Sequence, residues 1–555
     1  MHNTGSSVKI VFWLPLFAAF GCCPDCFVSR AEAQTQTLVI VNQAADAVVN
    51  YMFQKLEKTD KPLGKGATKE MALAALRQGV DQYEGTGVTH IFWNVNYQRV
   101  GYRSDVWPSY WDDPDPEKNV TGWPRSYYEL HKLGIDDAFA IVIPRCRERG
   151  LSPWISLRMN DHHYTSDPTR VSRLFFEHPE LRTNGGKGLF NYARQEVREH
   201  YLKLVAEVLQ RYDVDGLELD WIRTPSNFNP DEIEGGREIL TDFVRAVRRQ
   251  TQAAAKRLGH PVQVAVRVTV TPEFAFGMGF DAVGWAREKL VDMIIPSDWW
   301  DGYADAPVED WRAQIGSDAR NCRIVPGTAC TYACTKKGFM MMHNLPAMRG
   351  FAASVLDRGA DGIYLFNHFQ SVSMNIRSRT PEGKMTNDCT LADLLRAAGD
   401  LPGATNNPRL HALGMHDRFP DKSKYRPALP ATIVLQKPVT FKIHTGPKPA
   451  AGRCVVHVGL DKSDDLAAAK LAVRLNGSDC RSLADLPVPA KPELRLELPR
   501  MNVCEVAPRV MQFEAPVAAF ARGYNTVEVA VAQGGPQTII WLEICIDPRV
   551  LPQDK

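Results

Sequence analysis

The sequence has no excess of charge of one sign. Its 555 residues hold 66 Lys and Arg against 64 Asp and Glu, a formal net charge of +2. Proteins that bind nucleic acid through its phosphates usually carry a clear basic excess, so no nucleic-acid partner is predicted. Long runs of like charge, typical of interaction tails, are also missing. The balance leaves neutral partners open.

Long apolar runs are missing after the N-terminus, so no membrane-spanning helix is predicted. One shorter run, residues 10–20, follows Lys9 and precedes an A-x-A site that ends at Ala33. This order is typical of a secretory signal peptide over residues 1–33. It predicts an exported protein, periplasmic or extracellular. The alternative is a lipoprotein anchored at Cys22, since residues 19–22 (AFGC) loosely resemble the cleavage motif of lipoproteins. That motif usually begins with a larger aliphatic residue, whereas this sequence has Ala there.

The cysteines form no zinc pattern. Three of the 12 lie in the predicted signal peptide, and nine remain. An exported chain can keep disulfides, but their pairing cannot be read from a sequence. Cys330 and Cys334 lack a second Cys or His pair at structural-zinc spacing. No metal ion and no other cofactor are therefore predicted.

No G-x-G-x-x-G motif follows the first predicted strand, which argues against a doubly wound dinucleotide-binding fold. Short apolar runs instead alternate with helix-like segments. The runs predicted as strands are residues 38–43, 89–96, 152–161, 216–223, 262–270, 291–299, 322–330 and 359–367. Alternation of this kind is typical of a parallel sheet. Eight units predict a (β/α)8 TIM barrel, of the α/β class, over residues 34–400.

The pattern changes toward the C-terminus. Residues 401–430 lie in a stretch rich in Pro, Arg, Asp and Asn and are predicted to form a linker. From residue 431 to 555, short alternating strands are separated by Gly, Pro, Asn and Asp. These features predict an antiparallel β-sandwich as a second domain.

Several predicted strands begin near a glycine and end in polar residues. Gly87, Gly150, Gly216 and Gly362 stand where a helix should end, and each is predicted to supply a left-handed cap. The polar residues gather at the other ends of the strands. In barrels of this class the site forms at the C-terminal rim, so we expect the functional residues there.

The stretch VDGLELDWIR (214–223) places two carboxylates in a strand that reads as buried. Glu218 and Asp220 are two residues apart and therefore point to the same face. A buried carboxylate is costly unless it is paired or used. Asp220, nearer the rim, is predicted to be catalytic, whereas Glu218 is predicted to orient substrate or neighbours. The alternative is that both are structural and paired with Arg158 or Arg267.

Hydrolysis of a glycosidic bond needs a second carboxyl group. Glu273 follows the fifth predicted strand, and strand alternation would place it on the same face as Arg267, whereas Asp298 ends the sixth strand. Both are predicted as candidate proton donors, although a loop or turn role would equally explain them. Asp161, after the third strand, is a further candidate.

Other polar and aromatic residues near the strand ends are predicted to contact substrate. They are Arg158, Asn160, Asp161, Glu218, Arg223, Arg267, Trp299, Trp300, Asn367 and His368. The arginines would keep a nucleophile ionised, bind an acidic or sulfated sugar, or balance charge within the barrel. Trp299, Trp300 and the loop at 107–116 offer aromatic faces on which sugar rings stack.

Five motifs in order resemble the bacterial barrel proteins of glycosyl-hydrolase-like family 10. They are WNVNYQ (93–98), SLRMND-H (156–162), VDGLELDWIRTP (214–225), AVRVTVTPE (265–273) and GFDAVGWAREKLVDMIIPS (279–297). The resemblance implies a TIM barrel with a sugar-active rim and Asp220 as a key carboxylate. The resemblance does not fix the acid. True family-10 enzymes have the acid in an Asn-Glu pair at the end of the fourth strand and the nucleophile on the seventh, but here that pair is missing and the seventh strand CRIVPGTAC has no carboxylate. LAVRLNG (471–477) and RGYNTVEVAV (522–531) resemble galactose-binding-type sandwiches.

The sequence therefore predicts an exported glycoside hydrolase that acts on a poly- or oligosaccharide. The alternative is a non-catalytic carbohydrate-binding or cell-surface protein on the same scaffold. A metal-dependent hydrolase would require His162 or His163 to converge with Asp161. The sugar, the linkage and the oligomeric state are not predicted.

Overall fold

Eight parallel strands form a barrel at the positions that the apolar runs predicted. The computed structural model describes residues 36–44, 66–120, 124–167, 170–298, 305–329, 331–333, 340–342, 345–366, 378–379, 385–386, 390–413, 428–486 and 507–549. The barrel strands are β1 (Leu38–Ala44), β2 (His90–Asn94), β3 (Ser152–Arg158), β4 (Gly216–Asp220), β5 (Gln263–Val268), β6 (Met293–Pro296), β7 (Arg323–Ile324 and Gly327–Ala329) and β8 (Gly362–Phe366). Each strand pairs in parallel with the next.

The sheet closes through β8 and the interrupted strand β7. Leu38 of β1 lies opposite Gly362 of β8, and Gly327 in the second part of β7 lies opposite Tyr364. A parallel bridge joins Ser297, just after β6, to the same Gly327. The predicted (β/α)8 TIM barrel is therefore confirmed.

Helices follow the strands and cover the outside of the sheet. They are α1 (Lys69–Asp81), α2 (Pro116–Asn119), α3 (Arg125–Lys132), α4 (Phe139–Glu148), α5 (Arg173–Glu177), α6 (Thr183–Gly186), α7 (Gln195–Arg211), α8 (Ile233–Leu258), α9 (Pro272–Gly277), α10 (Ala282–Arg287), α11 (Val308–Ile315), α12 (Leu345–Asp357), α13 (Leu391–Ala398) and α14 (Leu401–Asn406). Local residues set their ends. Thr68 caps α1 by accepting from the Met71 backbone N–H, and Gly259 ends α8 in the left-handed region. In the described part of the chain, no helix combines the length and the apolar character that a membrane crossing requires.

Inside the barrel, the lower part is filled by apolar side chains. They include Ile40, Phe92, Trp154, Ala265, Met293, Ile295, Val325 and Tyr364. The Trp154 ring stacks on Phe92, with 4.7 Å between ring centroids. This floor matters for function because it closes the barrel from below and leaves only the carboxyl ends of the strands for a site.

The glycines at the strand starts divide into two groups. Gly87 and Gly150 have φ of +84° and +69°, as the predicted helix caps require. Gly216 and Gly362 are not in that region, so the cap prediction is wrong for them. A Cβ on Gly216 would lie 2.4 Å from the Trp154 ring, and one on Gly362 would lie 2.3 Å from the Leu38 carbonyl oxygen. These two positions favour glycine because a side chain would collide with a neighbouring residue, and not because the backbone is in the left-handed region.

The C-terminal part is an antiparallel sandwich of two sheets. Its strands are β9 (Arg409–Leu413), β10 (Ala431–Ile433), β11 (Val439–His444), β12 (Arg453–Leu460), β13 (Lys470–Leu475), β14 (Ser478–Asp479), β15 (Arg481–Ser482), β16 (Arg509–Ala515), β17 (Tyr524–Gln533) and β18 (Gln537–Asp547). One sheet has the order β9-β18-β12-β16-β15, with β10 also on β18. The other has the order β11-β17-β13-β14. The predicted sandwich is confirmed.

The predicted linker over 401–430 needs correction, because the described part of it is structured. Residues 401–406 form α14, and β9 (409–413) pairs with β18 as part of the sandwich. Helix α12 packs against β9 so closely that a Cβ on Gly350 would lie 1.8 Å from the Leu410 carbonyl oxygen. Arg358 and Tyr524 both contact Asp305, which adds polar contacts between the two domains. The barrel and the sandwich are thus joined directly.

Candidate active site at the carboxyl ends of the barrel strands

A layer of charged side chains lies above the apolar floor of the barrel. In the sheet register, Arg158 of β3, Asp220 of β4 and Arg267 of β5 stand next to one another. All three are buried, with 4%, 1% and 0% of their surface exposed. Buried charges are stable only when they are paired, so the contacts of this layer define the site.

Asp220 is held by Arg267. One guanidinium nitrogen, Nη1, donates to both carboxylate oxygens at 3.1 and 3.0 Å, and the Ile222 backbone N–H donates to Oδ1 at 3.2 Å. The Arg267 guanidinium lies over the Phe366 ring, 3.7 Å from its centroid. Because arginine keeps its charge, Asp220 faces a permanent cation at the end of its strand.

Glu218 lies one layer deeper on the same face of β4. It is fully buried, and the Asn42 side-chain amide donates to its Oε2 at 3.2 Å. Burial raises the pKa of Glu218 to about 7, with a further upward contribution from the charge of Asp220. The Ser156 and Tyr364 hydroxyls act in the opposite direction on this pKa. The strand thus carries two carboxyl groups in different electrostatic environments.

A second ion-paired group forms at the end of β3. Arg158 Nη1 donates to Asp161 Oδ2 at 2.8 Å, and the His163 backbone N–H donates to Asp161 Oδ1 at 2.7 Å. Arg223 Nε lies 4.0 Å from Asp161 Oδ2. Burial favours a raised pKa for Asp161, but the charges of His163, Arg158 and Arg223 outweigh it and hold that pKa well below its usual range. These surroundings do not favour Asp161 as the proton donor.

The two ion-paired groups meet through Arg223. This guanidinium is buried, and the positive charge of Arg158 adds to burial in lowering the pKa of Arg223 to about 10. Asp161 and Asp220 act in the opposite direction on it. The described residues of the layer thus bring three guanidinium groups to two aspartates. Asp298 adds a third aspartate to this layer, so the three guanidinium groups leave no excess of positive charge, and they suit a ligand with many oxygen acceptors.

Asn160 is buried beside this layer, but its contacts are structural. Its amide nitrogen donates to the Phe190 and Ser226 carbonyl oxygens and to Asn227 Oδ1, all at 2.9 to 3.0 Å. These bonds tie the loop after β3 to the loop after β4. The amide nitrogen of Asn160 thus holds the two loops together, and the substrate contact predicted for this residue stays a prediction.

Glu273 does not join the site. It lies exposed in the first turn of α9, where its carboxylate accepts a hydrogen bond from the Gln314 side chain. Strand β5 ends at Val268, and Thr271 caps the following helix. The strand alternation that placed Glu273 on the Arg267 face therefore stops before it is reached, and its assignment as the proton donor is not supported by this geometry.

Asp298 does lie at the layer. It is buried, and its carbonyl oxygen accepts from Arg267 Nη2 at 2.8 Å and from the Ser297 hydroxyl at 2.9 Å. The guanidinium that holds the Asp220 carboxylate through one nitrogen therefore holds the Asp298 main chain through another. Of the two predicted proton donors, Asp298 is the one whose main chain contacts the guanidinium that binds Asp220.

The remaining substrate-contact predictions concern residues in loops near the barrel rim. Trp299, Trp300, Asn367 and His368 lie outside the described residues. In the 107–116 loop, Trp107 and Trp111 are buried rather than presented to a sugar. Trp107 stacks on His200 and Trp111 on His131, at centroid distances of 4.1 and 4.7 Å. That loop is wrong as a sugar platform, because its rings fill the core.

Metal-dependent hydrolysis at His163 is also not supported by the geometry. The ring nitrogen of His163 that does not contact Asp161 lies 3.1 Å from Arg223 Nη2. A guanidinium at that place would repel a metal cation. His163 instead contacts Asp161 and Arg223, an anion and a cation of the same layer.

Two residues of the site were missed from the sequence. Asn42 lies in β1 and donates to both Ser156 and Glu218, at 3.1 and 3.2 Å. Because Asn42 is two residues after Ile40, strand alternation places its side chain inside the barrel, and this could have been predicted from the sequence. Tyr364 lies next to Glu218 inside the continuous apolar strand GIYLF, where no sequence pattern distinguishes it from a core residue.

Comparisons with known proteins point to carbohydrate-active enzymes over part of the chain. No family model matches. The 1,4-alpha-glucan branching enzyme GlgB of Cupriavidus pinatubonensis is 27% identical over 189 residues, 30% of this chain and 25% of that enzyme. GlgB 1 of Xanthomonas axonopodis pv. citri is 26% identical over 187 residues, 29% of this chain and 25% of that enzyme. The match thus spans about a quarter of the length of these curated relatives.

Solved structures of fucosidases are also similar to this chain. A bacterial fucosidase with a monovalent iminocyclitol inhibitor has a TM-score of 0.34 and 9% identity, over 89% of this chain and 94% of that one. A putative alpha-L-fucosidase from Bacteroides thetaiotaomicron has a TM-score of 0.34 and 10% identity, over 92% and 95%. The narrower resemblance to glycosyl-hydrolase-like family 10 stays a prediction.

Proposed function

We propose that this protein is an exported glycoside hydrolase in which Asp220 is the catalytic nucleophile or base. The observation that carries the proposal is the Asp220–Arg267 pair at the carboxyl end of β4, 3.0 Å long and buried inside the barrel rim. A carboxylate fixed next to a cation is suited to act as nucleophile or base. The local similarity to glucan branching enzymes supports a carbohydrate as substrate.

In this mechanism Asp298 donates the proton to the leaving oxygen. Its main chain is held by the same guanidinium as Asp220, so the two residues are only one arginine head group apart. If the two carboxyl groups lie about 5–5.5 Å apart with substrate bound, configuration is retained, whereas about 6.5–9.5 Å gives inversion. Arg158 and Arg223 position the sugar through its oxygens or through an acidic or sulfate group.

Export is proposed from the sequence. The order of Lys9, the apolar run at 10–20 and the A-x-A site ending at Ala33 is typical of a signal peptide. These residues lie outside the described part of the chain.

Release of reducing sugar from a broad panel of polysaccharides tests the activity. The panel includes α-glucans, plant and algal polymers, and acidic and sulfated glycans. Wild type is compared with Asp220→Asn and with Glu273→Gln, a carboxylate control outside the site. We expect Asp220→Asn to lose activity by a factor on the order of 10³, and Glu273→Gln to remain active. Equal activity of the Asp220→Asn variant would remove this residue from the mechanism.

The second candidate function is carbohydrate binding without catalysis. It is favoured by one observation: Asp161 and Asp220 are both buried and ion-paired, as in a purely structural charge network. A binding protein would release no sugar from any polymer of the panel. It would instead be retarded in gels that contain its glycan, and Asp220→Asn would retain that retardation.

A further inference from the structure

The sandwich contains a buried polar cluster, far in sequence from the barrel site. His457 of β12 lies opposite Glu543 of the antiparallel strand β18, and Cys545 is two residues further along β18 on the same face. His457 and Glu543 are fully buried, and Cys545 is 9% exposed. An imidazole, a carboxylate and a thiol thus meet in the interior of the sandwich.

The three groups point at one small volume. His457 Nδ1 lies 2.6 Å from Glu543 Oε1, and Cys545 Sγ lies 3.6 Å from that nitrogen and 3.9 Å from that oxygen. In a tetrahedral zinc site, with Zn–N and Zn–O near 2.0–2.2 Å and Zn–S near 2.3 Å, ligand atoms are roughly 3.3–3.6 Å apart. The sulfur distances already approach these values. The nitrogen–oxygen distance needs to widen by less than about 1 Å.

The outer contacts orient two of these groups. His457 Nε2 lies 3.1 Å from Gln512 Oε1, and the Gln512 amide is fixed because its nitrogen donates to the Ala484 carbonyl oxygen at 2.8 Å. Gln512 therefore accepts the Nε2 hydrogen, which turns Nδ1 toward Glu543. The Trp541 indole N–H donates to Glu543 Oε2 at 2.8 Å and leaves Oε1 facing the cluster. Metal-binding imidazoles and carboxylates are held by outer partners of this kind.

We propose that His457, Glu543 and Cys545 bind a divalent transition-metal ion, and that this ion is Zn²⁺. Imidazole, carboxylate and thiolate together are a ligand set that zinc accepts, whereas the thiolate disfavours Mg²⁺ and Ca²⁺. Binding replaces the hydrogen bond between Nδ1 and Glu543 with two metal bonds, so the proton of that hydrogen bond and the proton of the Cys545 thiol are both released to solvent. Three protein ligands leave one coordination position for water or another donor.

The competing structure is a hydrogen-bonded His457–Glu543 pair that needs no metal. The two are separated by metal content in the full-length protein, produced with zinc and then dialysed into metal-free buffer. We expect one zinc per chain in wild type by mass spectrometry of the elements. Cys545→Ser should reduce zinc affinity by more than 100-fold. Cys480→Ser, which changes a half-buried thiol of the same domain, should retain full occupancy.

Cobalt substitution and an outer-contact variant complete the test. Co²⁺ in wild type should give a thiolate-to-cobalt charge-transfer band in the near ultraviolet, and Cys545→Ser should lack it. Trp541→Phe keeps all three ligands and should weaken zinc binding by about 10- to 100-fold. Far-ultraviolet circular dichroism verifies that each variant is folded. Wild type without stoichiometric zinc and without a cobalt band, or Cys545→Ser with wild-type zinc content, would overturn the proposal.

Discussion

Replacing Asp220 with Asn should destabilise the barrel by an amount that depends on pH. The pair is buried and 3.0 Å long, so its Coulomb attraction is about 5 kcal/mol at an effective dielectric constant of about 20. Removing one partner of a buried pair costs about 3–5 kcal/mol, because the other charge is left uncompensated. Arg267 keeps its bonds to Ser297 and Asp298. We therefore expect the lower end, about 3 kcal/mol, at pH 5.

At higher pH the cost should be smaller, because Glu218 can replace the lost charge. The negative charge of Asp220 helps to raise the pKa of Glu218 above its ordinary value of 4.5. An acid with a raised pKa binds its proton more tightly when folded. This contribution to stability is therefore complete below pH 4.5 and is lost as the pH rises through about 7. In Asp220→Asn the pKa of Glu218 falls, so the variant loses less of its stability as the pH rises than wild type does.

Urea unfolding at pH 5 and pH 8 measures the effect. The barrel transition is followed by fluorescence of the tryptophans buried in that domain, which include Trp93, Trp107, Trp111, Trp154, Trp221, Trp285 and Trp311. The difference between wild type and Asp220→Asn should decrease by roughly 1 kcal/mol or more from pH 5 to pH 8. Ionisable groups with the same pKa in wild type and in the variant do not contribute to this difference in unfolding free energy. Glu273→Gln should stay within about 0.5 kcal/mol of wild type.

A second variant isolates the role of Glu218. In Asp220→Asn combined with Glu218→Gln, no carboxylate remains on β4 to compensate Arg267. Relative to Glu218→Gln alone, the cost of Asp220→Asn should then be the same at both pH values. An unchanged or larger cost of the Asp220→Asn single variant at pH 8 would refute the electrostatic coupling on which this reasoning depends.

Three further predictions concern packing and proton binding. Gly216→Ala should destabilise the barrel by about 1–3 kcal/mol in urea unfolding, because the added Cβ lies 2.4 Å from the Trp154 ring. Gly350→Ala should cost at least as much, since its Cβ would lie 1.8 Å from the Leu410 carbonyl oxygen; an unchanged unfolding midpoint would contradict the close packing of α12 on β9. Glu218→Gln should remove from the pH–activity profile a group that titrates near pH 7, and a profile identical to wild type would exclude Glu218 as its source.

The barrel could be predicted because each strand is a short apolar run between helices, a pattern that requires burial on both faces. The site was harder, since strand alternation holds only while the strand lasts. It placed Asp220 and Arg267 correctly on one face, because both lie within β4 and β5. It failed at Glu273, five residues beyond the end of β5, where the Thr271 cap starts a helix. Strand β9 was missed because its Arg409 and His411 resemble a polar linker, although the structure buries both.

The sandwich shows why a buried polar cluster is the hardest feature to predict. In a two-sheet sandwich one face of each strand is normally solvated, so His457 and Glu543 would be expected to face water. Every described residue of β18 except Thr538 is instead buried, and so is β12 beyond Arg453. Strand alternation places Glu543 and Cys545 on one face of β18, but it does not show that this face is buried. A polar group on the second buried face must find a partner. That requirement brings His457, Glu543 and Cys545 together although they are up to 88 residues apart in the sequence.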